Sequence, residues 1–178
     1  IPMHKFRALA FLLIASPALA ADPVSYAPDY CEFMIEFPEE PYTTRRCEDE
    51  AKSRCYELVS YTKVYEISTT VNVQVICNPV TENLIAYYDE GVMKDTLRLM
   101  GKDNKLEIYE TSFRQEENYK QAGLVGESLA GQMSGIYIAQ LWIGESSMFS
   151  VEAEIVGDTF DAADKLFSEI LRSVQPKP

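Results

Sequence analysis

Residues 134–144, SGIYIAQLWIG, and residues 147–157, SMFSVEAEIVG, decide the fold. In the first run Ile136, Ile138 and Trp142 alternate with Tyr137, Ala139, Leu141 and Ile143, so both sides of an extended chain are apolar. That is the pattern of a central strand covered on both faces. In the second run Phe149, Val151, Ala153 and Ile155 alternate with Ser150, Glu152 and Glu154, giving one buried and one polar side. Downstream, Asp158 stands as an N-cap with Asp161 in the capping-box position. Phe160, Ala163, Phe167, Ile170, Leu171 and Val174 then form one stripe at helical spacing, before a Pro176-Lys177-Pro178 tail.

Upstream, residues 105–114 and 119–129 read as two further strands, after a Lys102-Asp103-Asn104 turn. Val92, Met93, Thr96, Leu97 and Met100 predict a helix over 90–101 that stops at Gly101. Residues 84–88 allow a short strand. The first half of the chain begins with an alternating strand, Tyr30–Phe37, ended by Pro38 and Pro41. Strands are expected at 56–66 and 69–77, the latter with Val71, Val73 and Val75 opposite Asn72 and Gln74. Between them and the first strand, residues 44–54 read as a charged helix with Glu48/Lys52 and Glu50/Arg54 at i,i+4. The order predicts an α+β domain, with no repeat or linker to divide it.

Residues 3–20 carry a basic stretch (His4, Lys5, Arg7), an apolar stretch (8–15) and Ala18-Leu19-Ala20, the order of a cleavable signal peptide cut after Ala20. Met3 is then the natural start, with Ile1 and Pro2 extraneous. Residues 1–20 are expected to be removed, residues 21–29 to be a flexible N-terminus, and residues 30–175 to form a single domain. The apolar run is shorter than the ~20 residues that span a membrane, so no membrane insertion is expected after cleavage. The expected location is the bacterial periplasm or the exterior. Removing Lys5 and Arg7 leaves 14 basic against 28 acidic residues, a formal charge of −14 on a 158-residue chain. Nucleic acid, which requires a positive field, is excluded as a partner.

His4 is the only histidine and lies in the leader. The mature chain therefore lacks the Ser-His-Asp and Cys-His dyads, histidine metal ligands and histidine pH switches. Cys31, Cys47, Cys55 and Cys77 are even in number in an exported chain and predict two disulfides. A four-thiolate zinc site is the rival, but no Cys-x-x-Cys knuckle is present. A continuous helix would hold Cys47 and Cys55 about 12 Å apart, beyond the ~7 Å limit for bonding. The favoured pairing is accordingly Cys31–Cys47 and Cys55–Cys77, the second across the open end of a hairpin.

The remaining candidates each have a plain reading beside the functional one. Gly123, Gly126 and Gly131 are not followed by the Lys-Ser/Thr of a phosphate loop and read as bulges or close packing. Glu152 and Glu154 share a strand face at a ~6–7 Å spacing that two-carboxylate glycoside chemistry uses; a solvated sheet face is the plainer reading. Glu107 and Glu110 fall on opposite faces of their strand. Asp158, Asp161 and Asp164 do not form an EF-hand loop and suit helix capping. Eleven tyrosines are present, and aromatic residues suit interfaces; Tyr61, Tyr65 and Trp142 are the candidate interaction surface. No catalytic residue, metal or cofactor is assigned.

From residue 90 onward the order helix, four strands, helix, closing on 149–157 (FSVEAEIVG) and 158–174, resembles the end of PsbP/Mog1-like domains. The strand 31–38, running into Phe37-Pro38, is similar to their beginning. The resemblance implies an α/β/α sandwich around an antiparallel sheet of about six to seven strands, in a family of protein-interaction and assembly roles. No catalytic residues carry over; the four cysteines and the histidine-free mature chain are departures from the family. The expected function is that of an exported, non-enzymatic binding or accessory protein of the bacterial envelope, with an unknown protein partner. A carrier of a small amphipathic ligand and a carboxylate-dependent hydrolase are the alternatives.

Overall fold

The computed structural model describes residues 22–81, 83–101, 106–130 and 133–178. The expected signal peptide, Ala18 and Ala20 included, the turn at residues 102–104 and Gly131 lie outside these residues. The two runs that decide the fold become β8 (Met133–Ile143) and β9 (Ser147–Gly157), antiparallel neighbours with Trp142 opposite Phe149 and Ala139 opposite Glu152. They sit within a seven-stranded sheet ordered β3-β4-β5-β9-β8-β7-β6, antiparallel throughout. Its other strands are β3 (Tyr42–Cys47), β4 (Cys55–Tyr65), β5 (Thr69–Pro79), β6 (Glu107–Gln115) and β7 (Lys120–Ala130).

The two faces of this sheet are covered in different halves. On the first face Val59, Val71, Val73, Val75, Phe149, Val151 and Ala153 are buried beneath Ala163, Phe167, Ile170 and Leu171 of α3 (Asp161–Arg172). The same face is covered beside α3 by β2 (Phe33–Phe37), which turns Phe33, Ile35 and Phe37 inward. On the second face Ala122, Leu124, Tyr137, Ala139, Leu141 and Ile143 are buried beneath Met93 and Leu97 of α2 (Glu90–Met100). The molecule is thus an α/β/α sandwich, and β8 contributes core from both sides as its two apolar faces require.

α2 starts where the Asp89 carboxylate accepts from the Val92 amide at 2.8 Å and stops at Gly101. α3 starts later than the Asp158 cap predicts. Phe160 occupies the N-cap position in extended conformation, with no side-chain cap. Its ring packs on Tyr65 at 5.2 Å, and the Asp158 carbonyl accepts from the Thr69 hydroxyl. These contacts hold residues 158–160 extended, and Asp161 and Asp164 supply the acidic first turn instead. Residues 84–87 form a one-turn helix, α1, rather than a strand; Lys120 Nζ donates to the Ile85 and Tyr88 carbonyls at its end.

The largest departure is at residues 44–54. No helix forms there: Tyr42–Cys47 pairs with β4 as an edge strand, and a loop follows. The i,i+4 ion pairs on which the helix rested are worth only about 0.2–0.5 kcal/mol each. The segment has no apolar stripe to bury, and Tyr42, Thr43 and Thr44 favour extended chain. Glu48 instead reaches across the loop to Arg54 at 3.9 Å.

This overturns the favoured disulfide pairing. Cys47 lies directly opposite Cys55 in the ladder and bonds to it, with Cα atoms 4.0 Å apart. The distance limit applied to a continuous helix, not to a cross-strand pair. Cys77 faces the first side of the sheet and bonds Cys31, at a Cα separation of 6.2 Å. The register that sets Val59 opposite Val75 leaves Cys55 two positions past the partner of Cys77.

Short strands also form toward both ends of the described chain. Residues 24–26, within the segment expected to be flexible, form β1 against β2, and Gln175–Pro176 form β10 on its other side. Beside β2, Glu32 turns into the β8–β9 hairpin. Its carboxylate accepts from the amides of Glu145, Ser146 and Ser147 at 2.8–3.1 Å and from the Ser147 hydroxyl at 2.8 Å. Gly144 leaves room for this contact, since a Cβ there would displace the Glu32 carboxylate. Burial pushes the Glu32 pKa up, but the hydrogen bonds from Ser146, Ser147 and Glu145 outweigh it and hold the carboxyl below its usual range.

A carboxylate with a depressed folded pKa contributes stability above its unfolded value near 4.5 and loses it as pH falls through the folded value. Glu32→Gln is expected to lower unfolding free energy by about 2 kcal/mol at pH 7, in the range of lost charged hydrogen bonds, and the difference should shrink on acidification. Urea melts of both proteins from pH 7 to pH 2.5 check this.

Candidate partner-binding surface

The halves covered by α2 and α3 are diagonal to one another, so part of each sheet face is left open. The open half of the second face is built by β4, β5 and β9, and the alternation of those strands decides its chemistry. Val71, Val73 and Val75 face α3, so Asn72 and Gln74 face away; Phe149, Val151 and Ala153 do likewise to Glu152 and Glu154. The ladder aligns these in two rows: Thr62, Asn72, Glu154 and Tyr137 in one, and Ser60, Gln74, Glu152 and Ala139 in the other. Asn72, Gln74, Tyr137, Glu152 and Glu154 line a recess of about 380 Å³.

The rows are tied by side-chain hydrogen bonds. The Thr62 hydroxyl donates to Asn72 Oδ1 at 2.8 Å, the Tyr137 hydroxyl to Glu152 Oε2 at 2.7 Å, and the Ser128 hydroxyl to Glu154. Burial pushes the Glu152 pKa up, and the bond from Tyr137 opposes this only in part. Burial, then the charge of Glu152, pushes the Tyr137 hydroxyl well above the ordinary phenol range. Tyr137 is therefore a fixed donor and not a base at neutral pH. Both carboxylates stand on one strand, side by side. They do not flank a cleft from opposite walls as glycoside hydrolysis demands. The surface is suited to hold donors: amide and carboxylate groups on a rigid sheet accept from a ligand laid across them.

The residues predicted as an interaction surface are elsewhere. Tyr61 is 4% exposed and Trp142 is 5% exposed. Tyr61 packs on Phe37 at 5.6 Å and donates to Glu39, and Tyr65 is half-buried against Phe160. Burial, with the charge of Glu39, pushes the Tyr61 hydroxyl up to about 12. Trp142 stacks on Tyr119 at 5.5 Å and meets Phe33 at 5.6 Å, with Arg114 over its ring. All three side chains sit on the first face, where α3 and β2 converge, so they act as core. The space between this face and α3, where an amphipathic ligand would be carried, is occupied by Val73, Val75, Ala153, Phe167 and Ile170.

The other candidates fall at the opposite edge. Gly126 lies against the β6 bulge between Ile108 and Glu110, where a Cβ would come within 2.8 Å of the Glu107 carbonyl. Glu107 and Glu110 are exposed on β6. Asp158 and Asp164 line a second recess of about 360 Å³ with Tyr109 and Glu127, whose side chains hydrogen-bond to each other. Among the described residues no three His, Cys, Asp or Glu side chains are placed to hold a metal ion, and no helix is long and apolar enough to cross a membrane.

Because its folded pKa is raised, ionised Glu152 opposes folding: stability falls as pH rises from the ordinary glutamate value through the folded one. Glu152→Gln keeps an acceptor for Tyr137 and removes this loss. It should unfold at a higher temperature than the parent at pH 7 and at the same temperature at pH 3, measured by calorimetry.

No family model matches the chain, and no curated protein matches it. Solved structures do. The solution structure of cyanobacterial PsbP (CyanoP) from Synechocystis sp. PCC 6803 aligns with a TM-score of 0.59 at 12% identity, over 91% of this chain and 96% of that one. LpqN of Mycobacterium tuberculosis, involved in cell envelope biogenesis, aligns at 0.43 with 11% identity, over 93% and 88%. The Ran-binding protein Mog1p of Saccharomyces cerevisiae aligns at 0.39 with 9% identity, over 87% and 95%. At these identities the likeness is one of architecture: the chain has a PsbP/Mog1-like fold, an antiparallel sheet between helices.

Proposed function

We propose that this chain is an exported, non-enzymatic binding or accessory protein of the bacterial envelope, taking a protein partner on the open half of the second sheet face. The observation that carries the reading is the polar strip Ser60, Thr62, Asn72, Gln74, Glu152 and Glu154, presented on a rigid sheet that α2 leaves uncovered. Glu152 is held on this strip although burial pushes its pKa up, with Tyr137 donating to it. The chemistry of the strip selects a partner segment rich in donors, above all lysine or arginine, which an exported chain of formal charge −14 attracts at long range. Two disulfides support export, since such bonds persist outside the reducing cytosol. The single histidine, at position 4, supports a non-enzymatic role.

A photo-crosslinking residue placed at Gln74, with a control at Ser168 on α3, tests this in native envelope extract. Gln74 is expected to capture one discrete protein, lost in the Glu152→Lys, Glu154→Lys double variant, while Ser168 captures none. Equal capture at both positions, or capture that survives the charge reversal, overturns the reading.

A further inference from the structure

The two disulfides stand in opposite surroundings. Cys31 and Cys77 are each 2% exposed, within the core that joins β2 to β5. Their bond spans 46 residues of sequence. Cys47 is exposed and Cys55 half-buried, at the end of the edge hairpin β3–β4, and their bond spans only 8 residues. No core side chain rests on that hairpin end, and a thiol reaches Cys47 directly from solvent.

Contacts other than the bond also hold Cys47 and Cys55 in place. The Glu48 amide donates to the Arg54 carbonyl at 2.9 Å, which makes Cys47/Cys55 a non-hydrogen-bonded pair, the type whose side chains approach most closely. The loop between them is held by Asp49. Its carboxylate accepts from the Ser53 amide at 2.8 Å, the Arg54 amide at 3.2 Å and the Ser53 hydroxyl, while its carbonyl accepts from the Lys52 amide. Six paired positions from Tyr42/Ser60 to Cys47/Cys55 hold β3 to β4. These contacts place the two cysteines opposite one another independently of any covalent link.

We propose that Cys47–Cys55 is a thiol-exchange site, a disulfide that opens and recloses on an intact fold, while Cys31–Cys77 is the permanent crosslink. The reductant is a low-molecular-weight thiol or a dithiol oxidoreductase. Its thiolate attacks Cys47 Sγ; a new S–S bond forms there, the Cys47–Cys55 bond breaks, and the electron pair leaves on Cys55 Sγ. A second thiolate attacks the donor sulfur of this mixed disulfide and releases the Cys47 thiolate. Two electrons and two protons pass to the protein, and the donor leaves as its own disulfide. In the reverse direction Cys55 is already beside Cys47, so it displaces any thiol carried there, and the mixed disulfide is short-lived.

The test uses the full chain equilibrated in mixtures of reduced and oxidised glutathione, quenched with iodoacetamide and mapped by peptide mass. Cys47 and Cys55 are expected to be alkylated together over a range where Cys31–Cys77 stays intact and near-ultraviolet circular dichroism is unchanged. In Asp49→Ala, where the loop is released, the glutathione adduct on Cys47 should rise several-fold. Opening of both disulfides in one step, loss of the circular dichroism signal as Cys47–Cys55 opens, or an adduct level unaffected by Asp49→Ala would each overturn the proposal.

Discussion

A seven-stranded sheet has two faces to cover, and the described residues provide two long helices with which to cover them. β8 is apolar on both sides, so neither face can be left bare at the centre. The solution is diagonal. α3 and β2 take the first face over β4, β5 and β9, and α2 takes the second face over β7 and β8. The two cores therefore meet back to back through the central strands, and the remaining quarters are left open. On one such quarter stand Asn72, Gln74, Glu152 and Glu154; on the other stand Tyr109, Glu127 and the half-exposed Ile136.

Much of this was legible in the residues. Alternation located β2, β4, β5 and the four strands from β6 to β9 within a few positions, because each buries one or both faces and a period of two survives in the side chains. The stripes Met93–Leu97 and Ala163–Leu171 located α2 and α3 for the same reason at a period of 3.6. The failure at residues 44–54 has an equally physical cause. An edge strand buries little, so β3 carries no hydrophobic period, and the local charge pattern was free to suggest a helix. The disulfide pairing went with it.

The candidate surface was half legible. Glu152 and Glu154 on one face, and Asn72 and Gln74 on another, could be read strand by strand. That β5 and β9 are neighbours, and that Tyr137 comes beside them, depends on the order of strands in the sheet, which pairing and not local sequence decides. The aromatic residues failed in the opposite sense. Tyr61 and Trp142 were named as a surface on their aromatic character alone, yet each occupies an inward register position beneath β2.

The position of β2 has a consequence for how the molecule assembles. Its partners come from all along the chain: Cys77 through a disulfide, the 144–147 hairpin through Glu32, Ser173 through the Glu36 amide, and β10 through a ladder about 140 residues away in sequence. The hairpins β4–β5, β6–β7 and β8–β9 have no such need and close from neighbouring segments. Contact order then separates the process into fast local zippering and a slow final docking. The packing of β2 is complete only when residues 173–176 are in place beside it, so one edge of the first core waits on a segment far along the chain.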